Sequence, residues 1–176
     1  PLYAGDVGIG LNPKLAARVK VSDLILAIGP RLGEMTTGNY TLLEAPRPRQ
    51  KLVHIHASAE ELNRVYQADL AINATMNAAA RSLEALSAPV NVPWEAWTAS
   101  AHEDYLANLV PHALPGDIDM PAIVGLLQKH LPPDAVLTNG AGNFASWTHR
   151  FFKHHGLVKG HKTQLAPTVG AMGYGV

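Results

Sequence analysis

The run Asp23-Leu-Ile-Leu-Ala-Ile-Gly29 constrains the fold of this chain more than any other stretch. It is apolar on both alternating faces, has the length of a strand, and stops at a glycine. Such a segment reads as a parallel strand buried on both sides. Lys51 to His56 and Leu70 to Asn73 read as two further strands. Helix signals flank them. Asn12 followed by Pro13 is a cap and first-turn pair, opening a helix with Leu15, Ala16 and Val19 on one face. A polar loop runs from Pro30 to about Tyr40. Ser58 and Glu61 form a capping box that predicts a helix through Leu62, Val65 and Tyr66. An alanine-rich helix is predicted over Met76 to Leu86. Strand and helix in alternation imply right-handed crossovers in a doubly wound sheet. Residues 1–88 are therefore expected to form an α/β, Rossmann-like parallel-sheet central domain.

The pattern then changes. Residues 89–116 carry Pro89, Pro93, Pro111 and Pro115 and read as a linker, with an amphipathic helix over Trp94 to Leu109. Trp94, Trp97 and Tyr105 are too apolar for a free tether, so the linker is expected to pack. Residues 117–176 begin a second α/β domain. Asp119-Met-Pro121 opens a helix bearing Ile123, Val124, Leu126, Leu127 and Leu131. A strand over Ala135 to Thr138, a glycine turn, a helix from Phe144 to His154 and a glycine-rich close follow. These are too few strands to complete a sheet, so this second α/β domain is expected to be truncated.

Composition excludes several functions. Fourteen Lys and Arg balance fourteen Asp and Glu, and no basic stripe interleaves with aromatics, so nucleic acid is not an expected partner. With no cysteine there are no disulfides, thiolate metal sites or cysteine nucleophiles. No apolar run approaches the roughly 18 residues of a membrane span, and no leader opens the sequence, so a cytoplasmic protein without membrane attachment is expected. No Gly-x-Ser-x-Gly elbow is present, and Asp6, Glu34 and Asp104 form no acid and base pair.

Two glycine-rich segments carry the chemistry. Asp134-Ala-Val-Leu-Thr-Asn139 runs into Gly140, Ala141, Gly142 and Asn143. A strand opening through a glycine turn into a helix is a usual way to hold a phosphate. Near the end, Gly170, Gly173 and Gly175 surround Met172. Glycines let backbone approach a bound molecule closely, and a single flexible apolar side chain can prop it from beneath. Ordinary turns show similar spacings, so spacing alone leaves both readings open.

The residues resemble those of thiamine-diphosphate-dependent enzymes of the acetolactate synthase large-subunit type. Pro1-Leu-Tyr-Ala-Gly5-Asp-Val-Gly8, Ser22 to Arg31 and Thr36-Thr-Gly38 are similar to the family's central domain. Asn139 to Asn143 with Trp147 resembles the segment that wraps the cofactor diphosphate. Gly170-Ala-Met172-Gly173-Tyr-Gly175-Val resembles the motif over its aminopyrimidine ring. The resemblance covers nearly the whole chain.

It implies a homodimeric or homotetrameric carboligase or decarboxylase that uses thiamine diphosphate and Mg2+ on 2-keto acids. Gly140, Ala141, Gly142, Asn143 and Phe144 would line the diphosphate, with backbone N–H groups and a helix N-terminus facing its charge. Gly170 would offer its carbonyl to the cofactor's amino group, Met172 would hold its two rings together from below, and Gly173 would complete that loop. The family's activating glutamate belongs to an N-terminal domain, and its magnesium-binding Gly-Asp-Gly motif would fall beyond Val176. The chain taken alone is accordingly expected to be an inactive piece of a longer enzyme, with no metal ligands of its own. A non-catalytic nucleotide-binding or oligomerisation module formed by the first block is the alternative.

Some relatives hold FAD in the central domain, which would place Gly29, Arg31 and Gly38 against a flavin or nucleotide. Gly8-Ile-Gly10-Leu-Asn-Pro13 does not complete a Gly-x-Gly-x-x-Gly fingerprint, and His56 stands where an acidic residue commonly grips ribose. His54 and His56 share one side of their strand, yet no acidic residue completes a metal set at useful spacing.

Overall fold

A computed structural model describes residues 2–8, 10–112, 114–133, 135, 137, 142 and 144–153. The chain forms two compact units, residues 1–108 and 109–176.

The first unit is built on a parallel three-stranded sheet in the order β1 (Leu24–Ile28), β2 (Lys51–His56), β3 (Leu70–Asn73). Leu24 pairs with Lys51 and Ile28 with Ile55, and Val53 then pairs with Leu70. Helix α1 (Pro13–Val21) starts as its sequence dictates: the Asn12 side chain accepts from the Lys14 N–H and Pro13 occupies the first turn. At its other end Gln50, buried, donates to the Val19 and Lys20 carbonyls, which have no partner within the helix. Helix α2 (Met76–Glu84) begins at Thr75, whose hydroxyl accepts from the Ala78 N–H.

The core gathers on one side of the sheet. Ala27, Leu43, Leu52 and Tyr66 are buried together, with Val19, Ile25, Leu32, Val65 and Ala68 packed on them. Leu52, fully buried at the centre, and the larger Tyr66, 2% exposed, are the biggest side chains removed from water here. The α/β, parallel-sheet character read from the sequence is what the chain adopts.

Three details differ from the sequence expectations. β1 is not buried on both faces: Leu24, Leu26 and Ile28 are 55%, 49% and 44% exposed. It is an edge strand of the described sheet, and only its Ile25 and Ala27 side meets the core. The capping box does not open a helix. Ala59–Glu61 makes a single 3-10 turn, and the Ser58 side chain caps nothing. The Ser58 N–H, which a capping-box Glu61 should accept, already donates to His56 Nδ1 at 3.0 Å. Glu61 turns instead to Arg31 and Arg64. Asn63 then takes a left-handed conformation (φ 60°), and its side chain accepts from the Ala68 N–H. Neither link between strands in this sheet therefore contains an α-helix.

The third difference concerns α3 (Glu95–Asn108). The helix is present and packs on α1, but not through an apolar face, since Ala101 is its one buried residue. Asp104 fastens it: Lys14 Nζ donates to Oδ1 at 2.7 Å, while Arg18 Nε and Nη2 donate to Oδ2. Arg18 also reaches Ser100 and lies over the Trp97 ring at 5.5 Å. Tyr3 meets Tyr105 edge to face, with ring centroids 4.9 Å apart.

In the second unit, α4 (Met120–His130) is capped by Asp119, whose carboxylate accepts from the Ala122 N–H, and it buries Pro121 and Val124. Helix α5 (Ala145–Phe151) packs on α4. Gln128 joins them, accepting from the Lys153 N–H at 2.7 Å and donating to the Lys153 carbonyl at 3.0 Å. The strand expected over 135–138 falls mostly outside the described residues. Among the described residues no helix is long and apolar enough to cross a membrane.

Candidate functional site

In open parallel sheets, ligands gather beyond the carboxyl ends of the strands. Here that region holds a cavity of about 210 Å3. β1 delivers Arg31, Leu32 and Gly33 to it just past the strand, and β2 contributes His54. The segment after β2 adds Glu61, Arg64, Val65 and Tyr66. Tyr40 closes the lining.

Local backbone explains how these residues converge. Gly29 ends β1 at φ 83°, its N–H donating to the Ile55 carbonyl at 2.8 Å, and so swings the chain toward the cavity. Gly38, Asn39 and Tyr40 are left-handed in succession, a turn that costs roughly 1–2 kcal/mol for each non-glycine residue. It is held by Thr41 N–H and hydroxyl bonds to the Gly38 carbonyl. His54, 2% exposed, donates from Nε2 to the Pro30 carbonyl at 3.0 Å and so pins the start of the loop.

The electrostatics centre on Glu61, whose side chain is 11% exposed. Arg31 Nε lies 3.3 Å and Arg64 Nη1 2.9 Å from the same oxygen. Two guanidinium groups on one carboxylate leave a net positive charge at the cavity. Tyr66 is 2% exposed, and its hydroxyl has no hydrogen-bond partner among the described residues. A buried hydroxyl without a partner costs about 1–3 kcal/mol.

Of the three residues proposed against a flavin or nucleotide, Arg31 lines the cavity, Gly29 lies just before it, and Gly38 is not in the lining. His56, where a ribose-binding carboxylate was sought, spends Nδ1 on Ser58. Among the described residues, no group of three or more His, Asp or Glu is placed to hold a metal.

For the second candidate region, Gly140, Ala141, Asn143, Gly170, Met172 and Gly173 lie outside the described residues. Gly142 and Phe144 can be described. Gly142 has φ 140°, and a Cβ there would stand 3.0 Å from the Phe144 ring. Its carbonyl accepts from the Ala145 N–H at the start of α5. The turn at Gly142 runs directly into α5.

Sequence reasoning missed Glu61, Arg64 and Tyr66 as residues that line the cavity with Arg31. Reading residues 58–66 as a helix hid their convergence. The signal was available in Asn63, a residue type that readily turns left-handed.

Comparison with known proteins matches residues 1–86 to the thiamine pyrophosphate enzyme central domain. Over its whole length the chain is 26% identical to the acetolactate synthase isozyme 2 large subunit of Escherichia coli (strain K12), covering 30% of that protein. It is 27% identical to the acetolactate synthase large subunit of Corynebacterium glutamicum over 99% of this chain and 28% of that one. With acetolactate synthase 1, chloroplastic, of Nicotiana tabacum it shares 26% identity over 96% of this chain and 25% of the other. The chain thus spans between 25% and 30% of the length of these relatives.

Proposed function

We propose that the chain is part of a thiamine-diphosphate- and magnesium-dependent carboligase or decarboxylase acting on 2-keto acids, since residues 1–86 match the thiamine pyrophosphate enzyme central domain. The observation that carries this reading is the reach of the alignments. They extend past the central domain through the second unit to cover 96% to 100% of the chain. Both glycine-rich segments therefore belong to the stretch shared with acetolactate synthases.

In this reading Gly140, Ala141, Gly142, Asn143 and Phe144 line the diphosphate. Backbone N–H groups there would donate to its oxygens, and Gly142 takes a backbone conformation, φ 140°, that L side chains rarely adopt. Gly170 would accept from the aminopyrimidine amino group, Gly173 would keep the loop close, and Met172 would brace the cofactor from below. When bound, the cofactor supplies an electron sink for the carbanion left by decarboxylation of a 2-keto acid. Magnesium is held by residues outside this chain, which by itself turns over no keto acid. The working enzyme is a cytoplasmic homodimer or homotetramer.

The test is steady-state turnover of a 2-keto acid by the full-length protein carrying Met172→Ala. Loss of the brace lowers kcat while thiamine diphosphate affinity falls less, because the diphosphate contacts remain. Equal losses in both would make Met172 a packing residue and remove its role.

A second reading, a binding module without catalysis, draws on the cavity, which is formed entirely within the first unit.

A further inference from the structure

We propose that the cavity beyond β1 and β2 binds a small monocarboxylate and does not take a flavin dinucleotide. Size argues first. Pockets for drug-sized ligands run about 300–1,000 Å3, and a flavin dinucleotide is larger than most such ligands. At about 210 Å3 this cavity suits a compact molecule. The contacts a dinucleotide needs are also missing: Gly38 is outside the lining, and His56 is engaged with the Ser58 backbone.

Charge selects the ligand. Arg31 and Arg64 share the single carboxylate of Glu61, which leaves one positive charge for a ligand to balance. Each guanidinium keeps N–H groups that have no partner among the described residues, in the fork geometry that suits a carboxylate. A phosphate dianion would exceed that charge, whereas a monocarboxylate matches it. Leu32 and Val65 offer a short hydrocarbon an apolar wall. The Tyr66 side chain lines the same cavity, and its buried hydroxyl has no hydrogen-bond partner among the described residues.

The test is an NMR titration of the 15N-labelled chain with butanoate, inorganic phosphate and FAD in separate arms. Butanoate has no keto group, so the result is independent of the catalytic reading. Butanoate should shift the amides of Leu32, Val65 and Tyr66 saturably. Arg64→Gln, at a mostly exposed side chain, should bind about tenfold more weakly. Tyr66→Phe, which removes an unpartnered buried hydroxyl, should raise the Tm of the ligand-free chain. The proposal is overturned if FAD saturates those amides, if phosphate binds more tightly than butanoate, if Arg64→Gln binds as wild type, or if no ligand shifts them.

Discussion

Gly29 shows how one residue positions the site. At φ 83° it sits where L side chains are strained, and an added Cβ would lie 2.6 Å from Met76 Sδ. Gly29→Ala should therefore destabilise the chain by about 1–3 kcal/mol in denaturant unfolding, and a wild-type midpoint would contradict this placement. Its role as a strand-ending glycine was legible, as were the caps Asn12 and Asp119, because each acts through its immediate neighbours. Gly142 was legible for the same reason. Glu61 was not. Its sequence context specifies a cap, and only the prior claim of His56 on the Ser58 N–H releases it toward Arg31 and Arg64. A bond made across a strand end competes with a local one, and local pattern records only the second.

At the level of elements, the α1–α3 contact is a polar latch, so it should respond to acid. Hydrogen bonds from Lys14, then from Arg18, hold the Asp104 carboxyl below its ordinary range. A depressed folded pKa means the stabilisation is complete above the unfolded value of about 3.9 and disappears as pH falls through the lower folded value. Asp69 behaves likewise, held down by Lys51 and the Leu52 N–H, and it ties the start of β2 to the loop before β3. Denaturant midpoints of wild type should drop across that acid window. Asp104→Asn should start lower at neutral pH and fall less, and a parallel decline would show the latch contributes nothing. The three strands, α1 and α2 were readable because apolar runs and caps are contiguous signals. The nature of the α3 contact was not, since ion pairs such as Lys14 with Asp104 leave no periodicity in the helix that carries them. The exposed side of β1 was equally hidden, because an apolar run records what a strand can bury and not what covers it.

For the whole molecule, the parallel sheet and the likeness to acetolactate synthases give one account of the chain. Residues 1–108 form a Rossmann-like unit with its own cavity, and the following unit carries the glycine turn at Gly142. The likeness to thiamine pyrophosphate enzymes and the α/β architecture were visible in short motifs, because strand runs and glycine turns act through their immediate neighbours. The cavity's preference was not visible, since it arises where separate segments meet. Calorimetric titration of the full-length protein with thiamine diphosphate and magnesium tests the central claim most directly. Saturable binding is predicted for that protein, with little or no heat for residues 1–176 alone. A full-length protein that released no binding heat would contradict the assignment to thiamine chemistry.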